Sequence, residues 1–285
     1  MPTKNSHETF ELDARNLKSF VEDPSNPLSR NSVDVVVTSP PYWSQRDYGH
    51  NDQIGEEETL DQYSETIANV VEACRAVLKP TGSLFLNLGD TYVDKSLTAA
   101  PASVQQELLE RGWLCPNVIQ WAKTRSKPTP VQDRLKNTTE KIYWLVPEVT
   151  TGYVTTPTQF AREYGEGDVW RFPPAQTGSG HAAPYPTDLV ERALSLTAPD
   201  GVCPECGTPH VVDDPLTADD WGCECECDPT DIPVVYDPFV GTGTTIEAAL
   251  DRGYNAVGTD LAPEDVDVND QTSLNQFEAP PTTQD

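Results

Sequence analysis

The hydrophobic residues of this chain form short apolar runs that are separated by longer stretches with helical spacing. Four valines within Val33–Val37 are typical of a strand buried on both faces of a parallel sheet. Similar apolar runs predict further strands over Ser83–Leu88, Lys141–Val146, Val234–Asp237 and Asn255–Asp260. A short edge strand is predicted at Phe10–Ala14.

Apolar residues that recur every three or four positions predict amphipathic helices between these strands. The helices are expected over Leu60–Leu78, Pro101–Trp113, Thr187–Leu196 and Ile246–Leu250. Lys79–Gly82 is predicted to end the first helix, and Thr187 is predicted to cap the third. The alternation of strands and helices predicts an α/β fold.

A chain of 285 residues is long enough for one substantial α/β core with an insertion. We divide it into an N-terminal segment, a main domain in two parts, an insert and an acidic tail, over residues 1–32, 33–200 with 229–261, 201–228 and 262–285. The tail has no Lys or Arg, so we expect it to be disordered. Residues 147–180 are rich in Pro, Thr and Gly, which predicts a recognition loop or a surface excursion.

The charge balance is strongly acidic, with 19 Lys and Arg against 46 Asp and Glu and a net charge of −27. Such an excess is typical of halophile proteins, which stay soluble in concentrated salt. It also argues against a polyanionic partner, because phosphate contacts normally require cations. Five of the 19 cations nevertheless fall within 14 residues and are interpreted as DNA phosphate contacts, the alternative being a solvated loop: Lys123, Arg125, Lys127, Arg134 and Lys136.

Neither a membrane segment nor an export signal is expected. The chain has no run of 18 apolar residues, and Met1–Lys4 lacks the apolar core of a signal peptide. We therefore expect a soluble, cytoplasmic protein with no membrane partner. Seven Cys residues in such a protein favour thiols or a metal site over disulfides.

The first motif with chemical potential is Thr38–Trp43, which directly follows the valine-rich strand. Two consecutive prolines must end that strand, because neither can donate a hydrogen bond to the sheet. The loop presents the Ser39 hydroxyl, carbonyls fixed by proline, and two aromatic rings. This set suits a flat ring with an exocyclic amino group, since the aromatics stack and the oxygens accept the N–H bonds. The alternative is a turn whose aromatics pack into the core.

The second motif is Val234–Thr245, in which a strand leads through a Gly-rich turn into a helix. Gly241 and Gly243 allow the backbone to approach a ligand closely, and the helix N-terminus offers free N–H donors. The next strand ends in Asp260, and a carboxylate at this position fits bidentate recognition of ribose hydroxyls. The Asp-Pro-Phe sequence before the glycines is not the pattern of NAD-binding folds.

Together these motifs resemble those of the DNA amino-methyltransferases. Thr38–Trp43 resembles the catalytic loop that holds a flipped adenine or cytosine, and residues 237–261 resemble the S-adenosylmethionine-binding motif almost residue for residue. The catalytic loop precedes the cofactor loop, as in the circularly permuted β class. The resemblance implies a Rossmann-like, S-adenosylmethionine-dependent methyltransferase sheet, circularly permuted, that acts on double-stranded DNA.

The resemblance also assigns roles to individual residues. The catalytic loop comprises Ser39, Pro40, Pro41 and Tyr42, with Trp43 joining the cations as a DNA contact. The cofactor-binding residues are Asp237, Phe239, Gly241, Gly243, Thr244 and Asp260, with Asp90 as a helper. Methyl transfer would be direct, because the chain lacks the Pro-Cys nucleophile of enzymes that methylate ring carbon C5.

The loop variant with Ser first and Tyr-Trp last resembles the cytosine-N4 branch of the family, whereas adenine-N6 enzymes more often carry Asp at the first position. Adenine-N6 methylation by the same fold therefore stays open. A non-catalytic nucleic-acid-binding module and an RNA substrate are further alternatives. The resemblance also raises the question of a cognate restriction endonuclease as partner, which these residues do not answer.

Five of the Cys residues predict a zinc ribbon between a helix and the cofactor strand. Cys203 and Cys206 form a Cys-x-x-Cys knuckle followed by Gly, and three further thiols follow at Cys223, Cys225 and Cys227. Relatives with Cys-x-Cys before the cofactor strand favour a structural zinc held by Cys203, Cys206, Cys225 and Cys227. Which two of the last three thiols bind metal is left open by their spacing.

Overall fold

An eight-stranded sheet forms the centre of the computed structural model, which describes residues 5–23, 25–26, 28–45, 53–126, 132–147, 153–175, 185–211, 223, 225 and 228–263. The strands of this sheet are β1 (His7–Glu11), β2 (Val33–Thr38), β3 (Leu78–Leu88), β6 (Leu114–Lys123), β7 (Thr139–Val146), β8 (Val169–Phe172), β11 (Val234–Asp237) and β12 (Asn255–Asp260). Two small ribbons are formed by β4 (Tyr92–Val93) with β5 (Ser96–Leu97) and by β9 (Gly201–Val202) with β10 (Pro209–His210). The helices are α1 (Leu17–Glu22), α2 (Leu60–Val77), α3 (Ala100–Glu110), α4 (Pro157–Tyr164), α5 (Thr187–Thr197) and α6 (Thr244–Asp251).

The strand order across the sheet is β1-β12-β11-β2-β3-β7-β6-β8. Strand β7 pairs antiparallel with both β3 and β6, and the other neighbouring pairs are parallel. The mixed α/β architecture with a mostly parallel sheet is the one that the strand and helix pattern predicted.

Each face of the sheet carries its own hydrophobic core. Helices α1, α2 and α3 pack on one face of the sheet, where they meet Val36 of β2. Helices α4, α5 and α6 pack on the other face, where they meet Val35 and Val37. Successive side chains of a strand point to opposite faces, which explains why every residue of β2 is buried. Among the described residues, no helix is long and apolar enough to span a membrane.

A buried ion pair closes the amino end of the central strands. Lys79 Nζ donates to Asp34 Oδ1 over 2.7 Å, and the Val234 backbone N–H donates to Asp34 Oδ2 over 2.9 Å. Burial raises the pKa of Asp34, while the charge and hydrogen bond of Lys79 oppose that rise. The pair therefore ties β2 to both of its neighbours, at the end of the sheet opposite the loops described below.

Several element boundaries differ from the sequence prediction. Strand β3 begins at Leu78, directly after α2, so Lys79–Gly82 belongs to the strand. Helix α3 ends at Glu110, short of Trp113, and the ten-residue strand β6 that follows was not predicted. Thr187 is the first residue of α5 and makes no side-chain cap, because Pro186 occupies the cap position.

The stretch 147–180, expected to be irregular, contributes regular elements where it is described. Helix α4 packs against α5, and β8 extends the main sheet beside β6 with Trp170 and Phe172 buried. These residues build part of the core, so the stretch is more than the surface excursion considered for it, and its role in target recognition stays a prediction. The predicted disorder of the tail concerns residues 264–285, which lie outside the described residues.

Candidate active site

The two chemical motifs leave the sheet from neighbouring strands. Val35 pairs with Val235 and Val36 with Tyr236, so β2 and β11 run side by side and end at the same edge. From here the chain proceeds to β3 on one side and to β12 on the other, which makes this edge a topological switch point where α/β sheets bind ligands. The loops after both strands line one cavity of about 720 Å³.

The Gly-rich turn after β11 holds the carboxylate at the end of β12. Gly241 and Gly243 have φ values of 48° and 86°, in the left-handed region that other residues rarely adopt. The Gly241 N–H donates to Asp260 Oδ2 over 3.0 Å, and the Ala262 N–H donates to Oδ1 over 3.2 Å. Asp260, Gly241, Phe239 and Thr244 line the cavity, as a cofactor site at this turn requires, whereas Gly243 caps α6 behind it.

Asp237 lies below the cavity and not on its wall. Its carboxylate is 1% exposed and accepts hydrogen bonds from Thr38 Oγ1 at 2.7 Å, Phe239 N at 3.0 Å, Tyr185 OH at 2.7 Å and Thr245 Oγ1 at 2.6 Å. Burial raises the pKa of Asp237, and these hydrogen bonds oppose the rise. Asp237 therefore fastens the two loops together from beneath, and its predicted contact with a cofactor stays a prediction.

A second acidic residue at the cavity was missed from the sequence. Asp13 follows β1, at the edge of the sheet that also carries Asp260, and Asp13 and Arg15 both line the cavity. Arg15 donates to Asp13 through Nε at 3.0 Å and through Nη2 at 2.6 Å, which lowers the pKa of Asp13. The sequence predicted the edge strand over Phe10–Ala14, which places Asp13 inside it, whereas β1 ends at Glu11 and leaves Asp13 in the loop that follows.

The loop after β2 is part of a polar network on the cavity wall. Tyr42 OH lies 3.2 Å from Ser39 Oγ and donates to Glu140 Oε2 over 2.8 Å. Asn87 Nδ2 donates to Tyr42 OH at 2.8 Å and to Glu140 Oε2 at 2.9 Å. Burial first, and then the negative charge of Glu140, raise the pKa of Tyr42 well above its usual value. Tyr42 therefore stays a protonated hydrogen-bond donor at neutral pH.

Lys123 belongs to this network and not to an open phosphate-binding surface. Its Nζ pairs with Glu140 Oε1 and lies 4.8 Å from the centroid of the Trp121 ring. The side chain is 22% exposed and its partner 13%. The charge of Lys123 is thus compensated inside the cavity, which argues against the predicted phosphate contact without testing it.

The remaining cations of the basic cluster are distributed around the cavity mouth. Arg125 and Lys136 are exposed and line the cavity, and Arg134 lines it while it stacks on Tyr92 with its guanidinium 4.3 Å from the ring centroid. Lys127 lies outside the described residues. The basic cluster thus contributes three exposed or half-exposed cations at one rim of the cavity.

Two other predicted site residues have structural roles. Trp43 Nε1 donates to the Glu57 carbonyl over 3.0 Å, and the residue packs against the core beside α2. The Asp90 carboxylate accepts from the Thr91 N–H at 2.9 Å and from Thr98 Oγ1 at 2.8 Å, which shapes the turn after β3. Neither side chain lines the cavity, and the ligand contacts predicted for Trp43 and Asp90 stay predictions.

Four thiols meet in the insert, at the ribbon of β9 and β10. The sulfurs of Cys203, Cys206, Cys223 and Cys225 all lie within 4.8 Å of one another, and the Cys206 and Cys223 sulfurs are 3.6 Å apart. The cluster includes Cys223, which the favoured ligand set omitted, and Cys227 of that set lies outside the described residues. Spacing alone did not distinguish Cys223, Cys225 and Cys227. The fold brings Cys223 and Cys225 next to Cys203 and Cys206.

The sequence also matches known proteins. The family model for DNA methylases of the N6/N4 type matches residues 33–271, so the chain belongs to this family. The Type II methyltransferase M.MwoI of Methanothermobacter wolfeii is 31% identical over 82% of this chain and 30% of its own length. The Type II methyltransferase M.Cfr9I of Citrobacter freundii is 24% identical over 94% of both chains. The chain thus spans less than a third of M.MwoI but nearly all of M.Cfr9I.

Solved structures establish the methyltransferase fold. The PvuII DNA methyltransferase, which is cytosine-N4-specific, superposes with a TM-score of 0.67 at 17% identity, over 93% of this chain and 85% of that chain. A Thermus thermophilus protein described as a DNA modification methylase, solved in complex with S-adenosyl-L-methionine, gives a TM-score of 0.55 at 23% identity, over 92% and 89%.

Proposed function

We propose that this chain methylates the N4 amino group of cytosine in a short double-stranded DNA site, after the base has been flipped out of the helix. The observation that carries this proposal is the shared cavity lined by Ser39 and Gly241, which leave the sheet from adjacent strands. A base and a methyl donor bound at these two loops would share one cleft. Family membership and the fold shared with the PvuII enzyme support the assignment.

On the base side, the chain would bind and orient the amino group. The Ser39 hydroxyl and the Pro40 carbonyl accept hydrogen bonds from the two N–H groups of the amino nitrogen, which leaves its lone pair free. Tyr42 provides an aromatic ring whose position is fixed by the bonds of its hydroxyl to Glu140 and Asn87. Because the Tyr63 hydroxyl donates to the Pro41 carbonyl over 3.0 Å, the loop backbone is braced against α2. Most of the rate acceleration would come from this orientation.

On the side of the methyl donor, the polar and apolar groups that line the cavity fit S-adenosylmethionine. Asp260 carries a carboxylate whose two oxygens each accept one backbone N–H, which leaves lone pairs for a ribose diol. Phe239 offers apolar surface, and Asp13 is a second acceptor nearby. S-adenosylmethionine supplies the electrophilic methyl group. The order of the two loops along the chain favours the circularly permuted β class.

The proposal is tested by methylating plasmid DNA with radiolabelled S-adenosylmethionine and identifying the modified nucleoside by mass spectrometry. N4-methylcytosine is expected. N6-methyladenine would overturn the choice of base, and a protein that binds S-adenosylmethionine but methylates no DNA would overturn the activity. Pro41→Ala and Tyr42→Ala should abolish transfer and leave cofactor affinity unchanged. Leu109→Ala, on the exposed side of α3, should leave both transfer and cofactor affinity unchanged.

We further propose that the four-thiol cluster holds a structural zinc ion. Zn–S bonds of about 2.3 Å in a tetrahedron place the sulfurs about 3.8 Å apart, and the sulfur separations within the cluster fit that size. Four thiolates leave no position for a reactive water. The ligand set that this geometry supports is Cys203, Cys206, Cys223 and Cys225.

The proposed partner is double-stranded DNA, with a cognate restriction endonuclease as a second, functional partner. The Type II naming of M.MwoI and M.Cfr9I favours such a system. Deep sequencing that detects modified bases in a host expressing the gene would identify the site. DNA from that host is then treated with a nuclease encoded beside the gene. Cleavage of this DNA would argue against the restriction endonuclease as a partner.

A further inference from the structure

One apolar side chain at the mouth of the cavity is almost fully exposed. Leu135 is 91% exposed, whereas the next most exposed large apolar residue in the described part of the chain, Leu97, reaches 48%. Leu135 also lines the cavity that contains Ser39 and Tyr42. Single exposed apolar residues are common on protein surfaces, so the significance of Leu135 lies in its place at this cavity.

The loop that carries Leu135 is anchored on both sides. Before it, the Arg134 guanidinium lies 4.3 Å from the centroid of the Tyr92 ring. After it, Asn137 Nδ2 donates to the Asp90 carbonyl over 3.2 Å. Both contacts fasten the loop to the turn and ribbon that follow β3, so the leucine is presented from a fixed backbone.

The charges beside Leu135 indicate the chemistry of that partner. Arg134, whose Nη1 pairs with Asp133 Oδ1 over 3.0 Å, and Lys136 are its immediate neighbours, and Arg125 lines the same cavity. In a chain with a net charge of −27, this concentration of cations favours a polyanion. Proteins that open a base stack frequently insert an apolar side chain such as Leu between the bases.

We infer that Leu135 inserts into the DNA duplex at the position that the target base vacates. This inference rests on the proposed function, because a base must leave the stack to reach Ser39 and Tyr42 in the cavity. Leu135 fills the gap and covers the exposed faces of the neighbouring base pairs, while Lys136 and Arg125 contact the flanking phosphates. The residue thus stabilises the flipped state and does not touch the transferred methyl group.

The test compares two duplexes that contain the site located by modified-base sequencing. In the first the target base is paired, and in the second it faces an abasic position, so that no pairing holds it in the helix. Steady-state methyl transfer is measured for the parent protein, Leu135→Ala and Leu135→Phe. Leu109→Ala serves as the matched control, since Leu109 is an exposed leucine on α3 away from the cavity. Cofactor affinity is measured separately by calorimetry without DNA.

We expect Leu135→Ala to lose roughly 10- to 100-fold in kcat/KM on the paired duplex, because flipping then leaves an unfilled gap. Most of this loss should disappear on the abasic duplex. Leu135→Phe should keep most of the activity, since a ring also fills the gap, and cofactor affinity should be the same in all four proteins.

Two results would overturn the inference. Leu135→Ala that methylates the paired duplex at the parental rate would show that nothing depends on the side chain. An equal loss on both duplexes would show that Leu135 supports DNA docking and not base flipping. If the parent protein binds S-adenosylmethionine but methylates neither duplex, the proposed function itself fails, which is a separate outcome.

Discussion

Gly89 controls the position of Tyr42, which makes Gly89→Ala a sharp test of the candidate site. A Cβ atom at this position would lie 2.5 Å from Tyr42 Cε2 and 2.9 Å from Cδ2. Carbon atoms pack at about 3.5–4.0 Å, so the ring would have to move by about 1 Å. The Tyr42 hydroxyl would then leave its bonds of 2.8 Å to Glu140 and Asn87.

We therefore expect Gly89→Ala to lower kcat for methyl transfer by about 100-fold, the size of loss that a misplacement of about 1 Å can cause in an active site. Cofactor affinity should be unchanged, because Asp260 and the Gly-rich turn belong to β11 and β12 on the other side of β2. Radiolabelled methyl transfer to DNA measures the first quantity, and calorimetric titration with S-adenosylmethionine measures the second.

The control for this substitution is Gly112→Ala. Gly112 has a φ of 84° and no atom within 4 Å of an added Cβ, so alanine there strains the backbone without displacing a neighbour. It should lower the free energy of unfolding by about 1 kcal/mol and leave kcat unchanged. A Gly89→Ala protein with parental kcat would refute the reasoning, because the Tyr42 position would then be irrelevant to transfer.

Four further substitutions probe other parts of the molecule. Cys206→Ser should abolish zinc binding, measured by elemental analysis. Lys79→Met should lower the free energy of unfolding by about 3–5 kcal/mol, because the buried Asp34 loses its ion-pair partner. Burial already raises the pKa of Asp34, and the loss of Lys79 raises it further. The loss of unfolding free energy should therefore grow with rising pH and shrink in acid, which urea unfolding at several pH values measures. Lys136→Ala should reduce the slope of log DNA affinity against log salt by about 1, whereas Lys123→Ala should not change that slope because its charge is already paired.

Each of these predictions has an outcome that contradicts it. Cys115→Ser should keep the metal, since Cys115 lies on β6 outside the thiol cluster, and zinc retained by Cys206→Ser would exclude the cluster as the site. If Lys79→Met lowers the free energy of unfolding equally at every pH, the charge of Asp34 is not the cause of the loss. Equal salt slopes for Lys136→Ala and the parent protein would remove Lys136 from the DNA contact surface.

The sequence predicted the central strands and most helices because their signals are local. Each residue of β2 is buried, and α2 shows the helical spacing along its whole length. Strand β6 was missed because its residues are mostly half-buried and Pro116 interrupts the apolar pattern. The register of β6 against β7 shifts between Leu114 and Asn117, beside that proline, and no local pattern reports such a shift.

The candidate site was only partly predictable. The two loops were found from their unusual residue types, but Glu140 was not, because a lone acid at the start of a strand resembles a surface residue. It reaches Asn87 and Tyr42 only through the antiparallel pairing of β3 with β7, in which Asn87 faces Ile142. Pairings between distant strands decide such networks, and one sequence does not display them.

The buried Asp237 carboxylate accepts hydrogen bonds from Thr38, Tyr185 and Thr245, which come from three separate parts of the chain. A hybrid enzyme assembled from two relatives would therefore inherit half of this junction from each parent. Exchanging the segment before residue 200 preserves the cleft only when the incoming sequence brings both a hydroxyl at position 38 and a phenol at position 185. Evolution of a new base preference is thus expected to proceed within the loops, with the junction beneath them unchanged.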